Sequence, residues 1–346
     1  CRISKLQICQ NILSHIDAIT GEDADETATL SMIKGEAYLM RAICYHTLAL
    51  RFAQDYEPGT AASTKGLPLM TEPDPNAKPS RSSLEETYKL IKDDITAARA
   101  NLKTAGAANS IYFTVDVIDA LEARVDLYMH NYSSAVNLAK GLIANYPLDT
   151  DAEALTSMWL NDESSEIIYR TFQSVDERSN ATGIYLSYST ATESFSPDFV
   201  PSQWVLDLYE EGDIRKDVFY RKDKITCLEV VTEDVYMLNK YPGNPALKKS
   251  TYEYYHMAKV FRSAEAYLIA AEASYMNNDE TNALKYLNDL RTQRGASEIA
   301  ATGTELFKEI KNEWIREFIG EGQRMNDIKR WHDGVQRSNP QQESLV

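Results

Sequence analysis

The chain of 346 residues carries 36 Lys+Arg against 52 Asp+Glu, a net charge of −16, and 43% of its residues are hydrophobic. That composition supports a large buried core and excludes a disordered chain, while the acid excess argues against a nucleic-acid partner and against docking on anionic lipid. No run of about 18 apolar residues is present to span a membrane, and the opening CRISKLQICQ shows neither the basic flank nor the apolar stretch of a signal peptide.

Apolar residues at Ile3, Leu6, Ile8, Ile12, Leu13, Ile16 and Ile19 recur at helical spacing and predict a first helix over 3–19. Gly21 and the acidic stretch 22–26 predict a turn. A long helix follows over 30–52, with Ala37, Tyr38, Ala42, Tyr45 and Ala49 on its buried side. Pro58, Pro68, Pro73, Pro75 and Pro79 exclude a helix over 53–80, and a loop of that length inside a compact domain is often functional. Ser82 or Ser83, with Glu85 or Glu86, predicts a capping box that opens a helix running to Leu102. Residues 115–130 and 132–146 predict two helices. They must be antiparallel because the turn at Asn131 is so short, and Pro147 ends the second.

The middle of the chain reads differently. Residues 166–172 look extended, and 173–201 are rich in Ser, Thr and Tyr and look like loop. Partial alternation with β-branched residues over 225–238 predicts a hairpin or two short strands. Pro242, Gly243 and Pro245 punctuate a loop over 239–251, and Trp204 is placed at a helix start facing the core. Helical patterns return over 257–276 and 281–294, a second short-turn pair, then over 305–321 and 325–331, before a polar tail after Asp333. The expected organisation is one domain over 1–346, with an N-terminal helical region (residues 1–165), a loop-rich lobe (166–255), a C-terminal helical region (256–334) and a tail (335–346).

The two helix pairs share a tetratricopeptide-like signature. Ala123, Asn131, Tyr132, Ala135 and Pro147 in the first match Ala271, Asp279 and Ala283 in the second; small residues at these positions let antiparallel helices approach closely. The copies lie far apart in sequence, so a tandem array is not expected, and two generic helical hairpins would leave a similar trace.

Chemistry-bearing patterns are sparse. Glu265 and Glu272 share a helix face, and Glu313, Glu317 and Glu321 form an i, i+4, i+8 ladder interleaved with Arg316 and Arg324. Paired carboxylates serve glycosidases, but arginines alongside keep carboxylates ionised, so a salt-bridge lattice is expected, with Arg41, Arg124, Arg262 and Arg324 as bidentate partners. His15, His46, His130, His256 and His332 are scattered. HExxH, GxSxG, Walker A and GxGxxG are all missing, and Ala28 stands where an EF-hand beginning near Asp23 needs glycine. No catalytic residue, cofactor or metal is therefore assigned. Cys1, Cys9, Cys44 and Cys227 form no CxxC and are expected to be free thiols. The chain has 21 tyrosines. Tyr185, Tyr188, Phe195, Phe199, Tyr236, Tyr241, Tyr252, Tyr254 and Tyr255 gather in the loop-rich middle, where an aromatic plane can take the C–H face of a sugar and Asn180, Asp198, Asn239 or Asn244 its hydroxyls.

Several segments together match the motifs of one known family. Glu36-Ala37, Leu39, Arg41-Ala42, Tyr45 and Leu48 resemble that family's E-A-x-x-L-R-A-x-x-Y-x-x-L helix, with Met40 where the pattern has Leu. Gly66-Leu67-Pro68-Leu69 and Thr71 resemble its G-x-P-L-x-T, and Arg81, Ser83, Glu86, Tyr88, Ile91, Asp94 and Ala98 its following helix. Ala120-Leu121-Glu122-Ala123-Arg124 with Leu127-Tyr128, and Pro201-Ser202 with Leu208-Tyr209, Asp213 and Arg215, fit two further motifs. At the C-terminal end, Arg262 with Ala264-Glu265 and Tyr267-Leu268-Ile269, then Arg291, Arg294-Gly295, Glu313, Arg316-Glu317, Gly320-Glu321-Gly322, Arg324, Asp327 and Lys329-Arg330-Trp331, give the fullest match.

In these segments the chain resembles the SusD/RagB-like nutrient-binding lipoproteins of the outer membrane, and the resemblance implies an all-α fold of tetratricopeptide-like helical pairs, with an irregular lobe containing short β segments. It also implies a non-enzymatic surface protein of the outer membrane that captures oligosaccharides and delivers them to a SusC-like TonB-dependent transporter. Members usually have a signal peptide, a lipidated cysteine and a further helical stretch; Cys1 stands almost on the first helix here, so the anchor is expected outside this chain. Tyr185, Tyr188, Phe199, Tyr236, Tyr241, Asn244 and Tyr254 are the ligand-binding candidates. A RagB-like peptide carrier and a tetratricopeptide adaptor for protein tails remain as alternatives.

Overall fold

Asp23 starts the longest helix of the protein. Its carboxylate accepts the Glu26 amide at 2.8 Å, and Asp25 and Glu26 place negative charge against the helix dipole, so α2 (Ala24–Phe52) begins six residues earlier than its apolar pattern indicates. The computed structural model describes residues 2–74, 76–178, 183–227, 229–335, 339–342 and 345, with side chains from residue 5 onward; Cys1, Pro75 and Asn180 lie outside the described residues.

α1 (Arg2–His15) packs on α2 and ends in a 3-10 turn at Ile16–Ala18. The proline-rich stretch after α2 contains β1 (Lys65–Pro68), paired antiparallel with β2 (Arg81–Ser83). Gly66 is needed there, because a Cβ would fall 2.2 Å from Thr87 Oγ1 and 2.3 Å from the Ser83 carbonyl oxygen. Of the candidate caps, Ser83 and Glu86 form the box: the Glu86 amide donates to Ser83 Oγ at 3.1 Å and the Ser83 amide to Glu86 Oε2 at 2.8 Å. α3 (Leu84–Asn101) follows and packs along α2.

The predicted helix pairs are α4 (Val115–Tyr128) with α5 (Tyr132–Asn145), and α9 (Ser263–Met276) with α10 (Glu280–Gln293). Ala123, Ala135, Ala271 and Ala283 are all fully buried. The two pairs, remote in sequence, stack directly in space through α5 on α9, so the second continues the layer that the first begins. α11 (Gly303–Phe318) packs on α9 and α10, and α12 (Arg324–Arg330) closes the described helices. The main core runs through this whole layer, from Leu39 and Ile91 through Leu121 to Leu268, Leu287 and Trp314.

Between α5 and α9 the chain leaves the frame to build the lobe. It contains α6 (Ala152–Leu160), β3 (Ile167–Arg170), β4 (Tyr188–Ser189), β5 (Ser194–Phe195), α7 (Gln203–Leu206), α8 (Ile214–Phe219), β6 (Tyr220–Cys227), β7 (Val230–Leu238) and β8 (Lys259–Arg262). The predicted hairpin is the β6–β7 pair, longer than expected at its first strand, and β4 and β5 extend the same sheet. β3 pairs antiparallel with β8. That pairing corrects the expected helix over 257–276: residues 259–262 are captured as a strand and the helix starts only at Ser263. α6 and α8, of nine and six residues, escaped the periodicity reading for want of length. Trp204 is half-buried rather than core; Trp159 on α6 is the buried tryptophan of the lobe. Among the described residues, no helix is long and apolar enough to cross a membrane.

Candidate ligand-binding lobe

The lobe is fixed to the frame by a knot of buried charge. Glu317 on α11, with no solvent exposure, receives Arg262 Nη1 from β8 at 2.6 Å, Arg215 Nη1 from α8 at 3.0 Å and Arg294 Nη2 from the end of α10 at 2.9 Å. Arg294 also grips Glu166 at 2.6 and 2.9 Å, Arg215 grips Asp213 and Glu313, and Arg262 reaches Glu321 at 2.7 Å. Burial alone would raise Glu317, but the three guanidiniums overcome it and hold the carboxyl well below the usual range; Glu313 and Glu321 are lowered by the same balance. These carboxylates therefore lack the raised pKa a general acid needs.

The expected lattice is thus real at Arg41, bidentate to Asp94; at Arg124, bidentate to Glu265; and at Arg262. Glu272 is held by Arg330 and by the Trp331 indole N–H. Arg324 departs from the expectation: its Nη1 is buried without a hydrogen-bond partner, because α11 ends at Phe318 and Gly320 (φ +76°) turns the chain before Arg324 can continue the ladder. Sequence reasoning also missed Lys240. Its ammonium is fully buried over the Phe219 ring at 4.0 Å, donates to the Glu317 carbonyl and to Glu321, and is lowered to about 8 by burial despite Glu321.

The candidate aromatics fall into two groups. In the inner one, Tyr241 stands 6.0 Å from Tyr185 in a near-parallel stack, 4.7 Å from the His256 ring and edge-on to Trp159 at 5.7 Å; its hydroxyl donates to the Gly320 carbonyl at 3.2 Å. In the outer one, Tyr188 stacks on Tyr252 with centroids 4.5 Å apart and planes 13° apart, and meets Phe195 edge-on at 5.0 Å. Tyr185 touches both cores, and Tyr254 packs against the outer one. Tyr188 is half-buried, and Tyr252 is 46% exposed, so this flat pair reaches solvent.

The remaining candidates divide likewise. Phe199 is 64% exposed. Tyr236 lies on β7 with Lys222 Nζ 5.8 Å from its ring centre, and its backbone is bracketed by Gln341. Asn244 is buried with every polar atom engaged: Nδ2 donates to Asp162 at 2.7 Å and to the Asn161 carbonyl at 3.0 Å, and Oδ1 accepts from Ala246. It braces the lobe from within. Asp198 is exposed and Asn239 half-buried. Arg178, over the Tyr255 ring at 4.0 Å and paired with Glu253, was not singled out by sequence, since nothing local marks a stacked arginine.

Known proteins share both the sequence and the architecture. A family model described as the SusD family matches residues 122–344, and a second, described as starch-binding associating with outer membrane, matches residues 6–115. The chain is 26% identical to a SusD-like protein of Formosa agariphila over 362 aligned positions, covering 88% of this chain and 67% of that protein. Among solved structures, a SusD superfamily protein from Bacteroides thetaiotaomicron superposes with a TM-score of 0.80 at 25% identity, over 96% of this chain and 74% of that one. A SusD-like carbohydrate binding protein from Bacteroides vulgatus gives a TM-score of 0.78 at 24% identity, over 96% and 69%, and bears on the fold alone.

Proposed function

Since the chain belongs to the SusD family, we propose that it captures an oligosaccharide at the outer cell surface, where a lipid anchor tethers it, and passes it to a SusC-like TonB-dependent transporter. The observation that carries this reading is the Tyr188–Tyr252 platform. The two rings are stacked face to face at 4.5 Å, so each covers one face of the other, and Tyr252, 46% exposed, offers solvent an aromatic surface at the edge of the lobe of the kind that takes a pyranose C–H face. Phe199 adds to the exposed aromatic surface of the lobe, Tyr185 and Tyr254 pack against the same buried cluster as Tyr188, and Tyr241 and Asn244 brace the lobe further in.

The chemistry is binding and release without bond cleavage. The ladder carboxylates are committed to arginines, while the sheet that carries Tyr188 continues from α8, whose Arg215 is held in the Glu317 knot. Capture costs little ordering in such an arrangement.

The test is a glycan panel followed by calorimetry on the hits. A saturable oligosaccharide hit that Tyr188→Ala or Tyr252→Ala weakens supports the reading. Binding confined to peptides would transfer the assignment to a peptide carrier, and glycan binding indifferent to both substitutions would remove the platform from the site.

A further inference from the structure

Lys329 fastens α12 to the end of α2. Its ammonium donates to the Leu50 carbonyl at 2.8 Å and to the Ala53 carbonyl at 2.7 Å. That clamp brings His332, just past α12, over Asp55 and Glu57 in the segment that follows α2, across 275 residues of sequence. His332 Nε2 lies 3.0 Å from Glu57 Oε1 and 3.4 Å from Asp55 Oδ2, and one ligand atom from each residue falls within 4.8 Å of the others. Sequence spacing gave no sign of this group, because its members come from opposite ends of the chain.

Two observations distinguish it from an ordinary ion pair. Asp55 Oδ2 is shielded from solvent and has no hydrogen-bond donor, and 3.4 Å is long for a charge-assisted bond from an imidazole. A buried carboxylate oxygen in that state is costly unless a cation meets it. The spacing also suits an ion. Metal–ligand bonds of about 2.0–2.1 Å in a tetrahedron place ligand atoms about 3.3 Å apart, and the two measured edges are 3.0 and 3.4 Å. On one side the group opens onto a cavity of about 210 Å³ to which Glu57, His332, His130, Tyr132 and Trp331 contribute.

We propose that Asp55, Glu57 and His332 form a binding site for a divalent transition ion, with zinc the best fit and the fourth coordination position facing the cavity. One imidazole nitrogen and two carboxylates are a borderline ligand set that suits zinc, whereas calcium takes six to eight oxygens. Two carboxylates and a neutral imidazole balance the charge of the ion. Bound there, zinc replaces the missing partner of Asp55 and locks the segment after α2 to the C-terminal side of α12. The open position takes water, or an oxygen of a small ligand seated in the cavity. This site is independent of the glycan reading, since it uses no residue of the lobe.

The experiment uses untagged protein, stripped with chelator and exchanged to pH 8, titrated with zinc by calorimetry and with cobalt by visible absorption. One zinc per chain is expected, undisturbed by a hundredfold excess of calcium, with the absorption of four-coordinate cobalt and a rise in Tm on zinc addition. His332→Ala and Asp55→Asn should each lower zinc affinity at least tenfold and abolish the rise in Tm. His332 is largely exposed, so its removal leaves packing intact, and circular dichroism verifies this. Cys227→Ser, which removes the exposed thiol, should change nothing. Failure to bind zinc stoichiometrically, or undiminished binding in both His332→Ala and Asp55→Asn, overturns the proposal.

Discussion

Arg294 and Glu317 face each other with neither side chain exposed, joined by hydrogen bonds of 2.9 and 3.2 Å from one guanidinium to both oxygens of one carboxylate. The same carboxylate serves Arg215 and Arg262, so it is the point where α8, β8, α10 and α11 converge. Glu317→Gln keeps the shape and removes the charge, leaving three buried guanidiniums short of a partner. Breaking a buried pair in this way costs about 3–5 kcal/mol, which a lowered urea midpoint would show. A loss below about 1 kcal/mol would mean that the remaining carboxylates compensate.

His46 gives stability a slope with pH. Burial, aided by the charge of Arg124, lowers its pKa to about 3; it sits among Tyr88 and Tyr128 with Nε2 unpartnered. Below about 6.5 the unfolded chain takes up a proton that the folded protein refuses, so this contribution to stability declines as pH falls from 6.5 toward 3. The slope approaches about 1.4 kcal/mol per pH unit at most. Asp327, raised by burial to about 6, acts in the opposite sense between its unfolded value and 6, so the informative quantity is the difference between wild type and His46→Phe. That difference should move in favour of the variant as pH drops from 7 to 4.5; parallel curves would place a proton on buried His46.

The stack of helix pairs depends on alanines. Ala271 is fully buried on α9, which packs against α5, α10 and α11. Ala271→Leu forces these helices apart, at about 1–3 kcal/mol. Thermal melting should record a Tm several degrees lower, while an unchanged Tm would reveal slack between the pairs.

Two substitutions in the lobe should separate binding from bracing. Tyr188→Ala removes the ring on which the exposed Tyr252 is stacked and should weaken glycan binding by about tenfold, which is about 1.4 kcal/mol, with a small change in Tm. Asn244→Ala strips a buried donor from Asp162 and the Asn161 carbonyl. It should lower stability by about 1–3 kcal/mol and leave affinity in the still-folded protein intact. Calorimetry and melting on both variants decide; the reverse assignment of effects would make Asn244 the ligand contact.

The frame was legible because its signals are local or periodic. Ser83 with Glu86, the short turn at Asn131 and the alanines at 123, 135, 271 and 283 each dictate a geometry within a few residues. The lobe was less so. Residues 259–262 carry helical periodicity, yet become a strand because β3 pairs with them from some ninety residues upstream. The aromatic cluster was visible as composition, but sequence could not tell Tyr241, turned inward to Gly320, from Tyr188, stacked outward on Tyr252. Nor could it tell Asn244, saturated by internal bonds, from an asparagine free to meet a ligand. Both distinctions depend on which loop crosses which, and that is settled only by long-range packing.

The antiparallel pairing of β3 with β8 means that the chain leaves the helical layer and returns to it side by side. Nearly ninety residues run between two adjacent stems and meet the layer again where Arg215 and Lys240 bind Glu317 and Glu321, so loops clear of those contacts can vary in length and composition without moving the stems. Selection can then rewrite the head of the molecule, adding, trimming or re-facing its loops, while the scaffold beneath folds as before. A protein built this way can change the face it presents without changing its architecture.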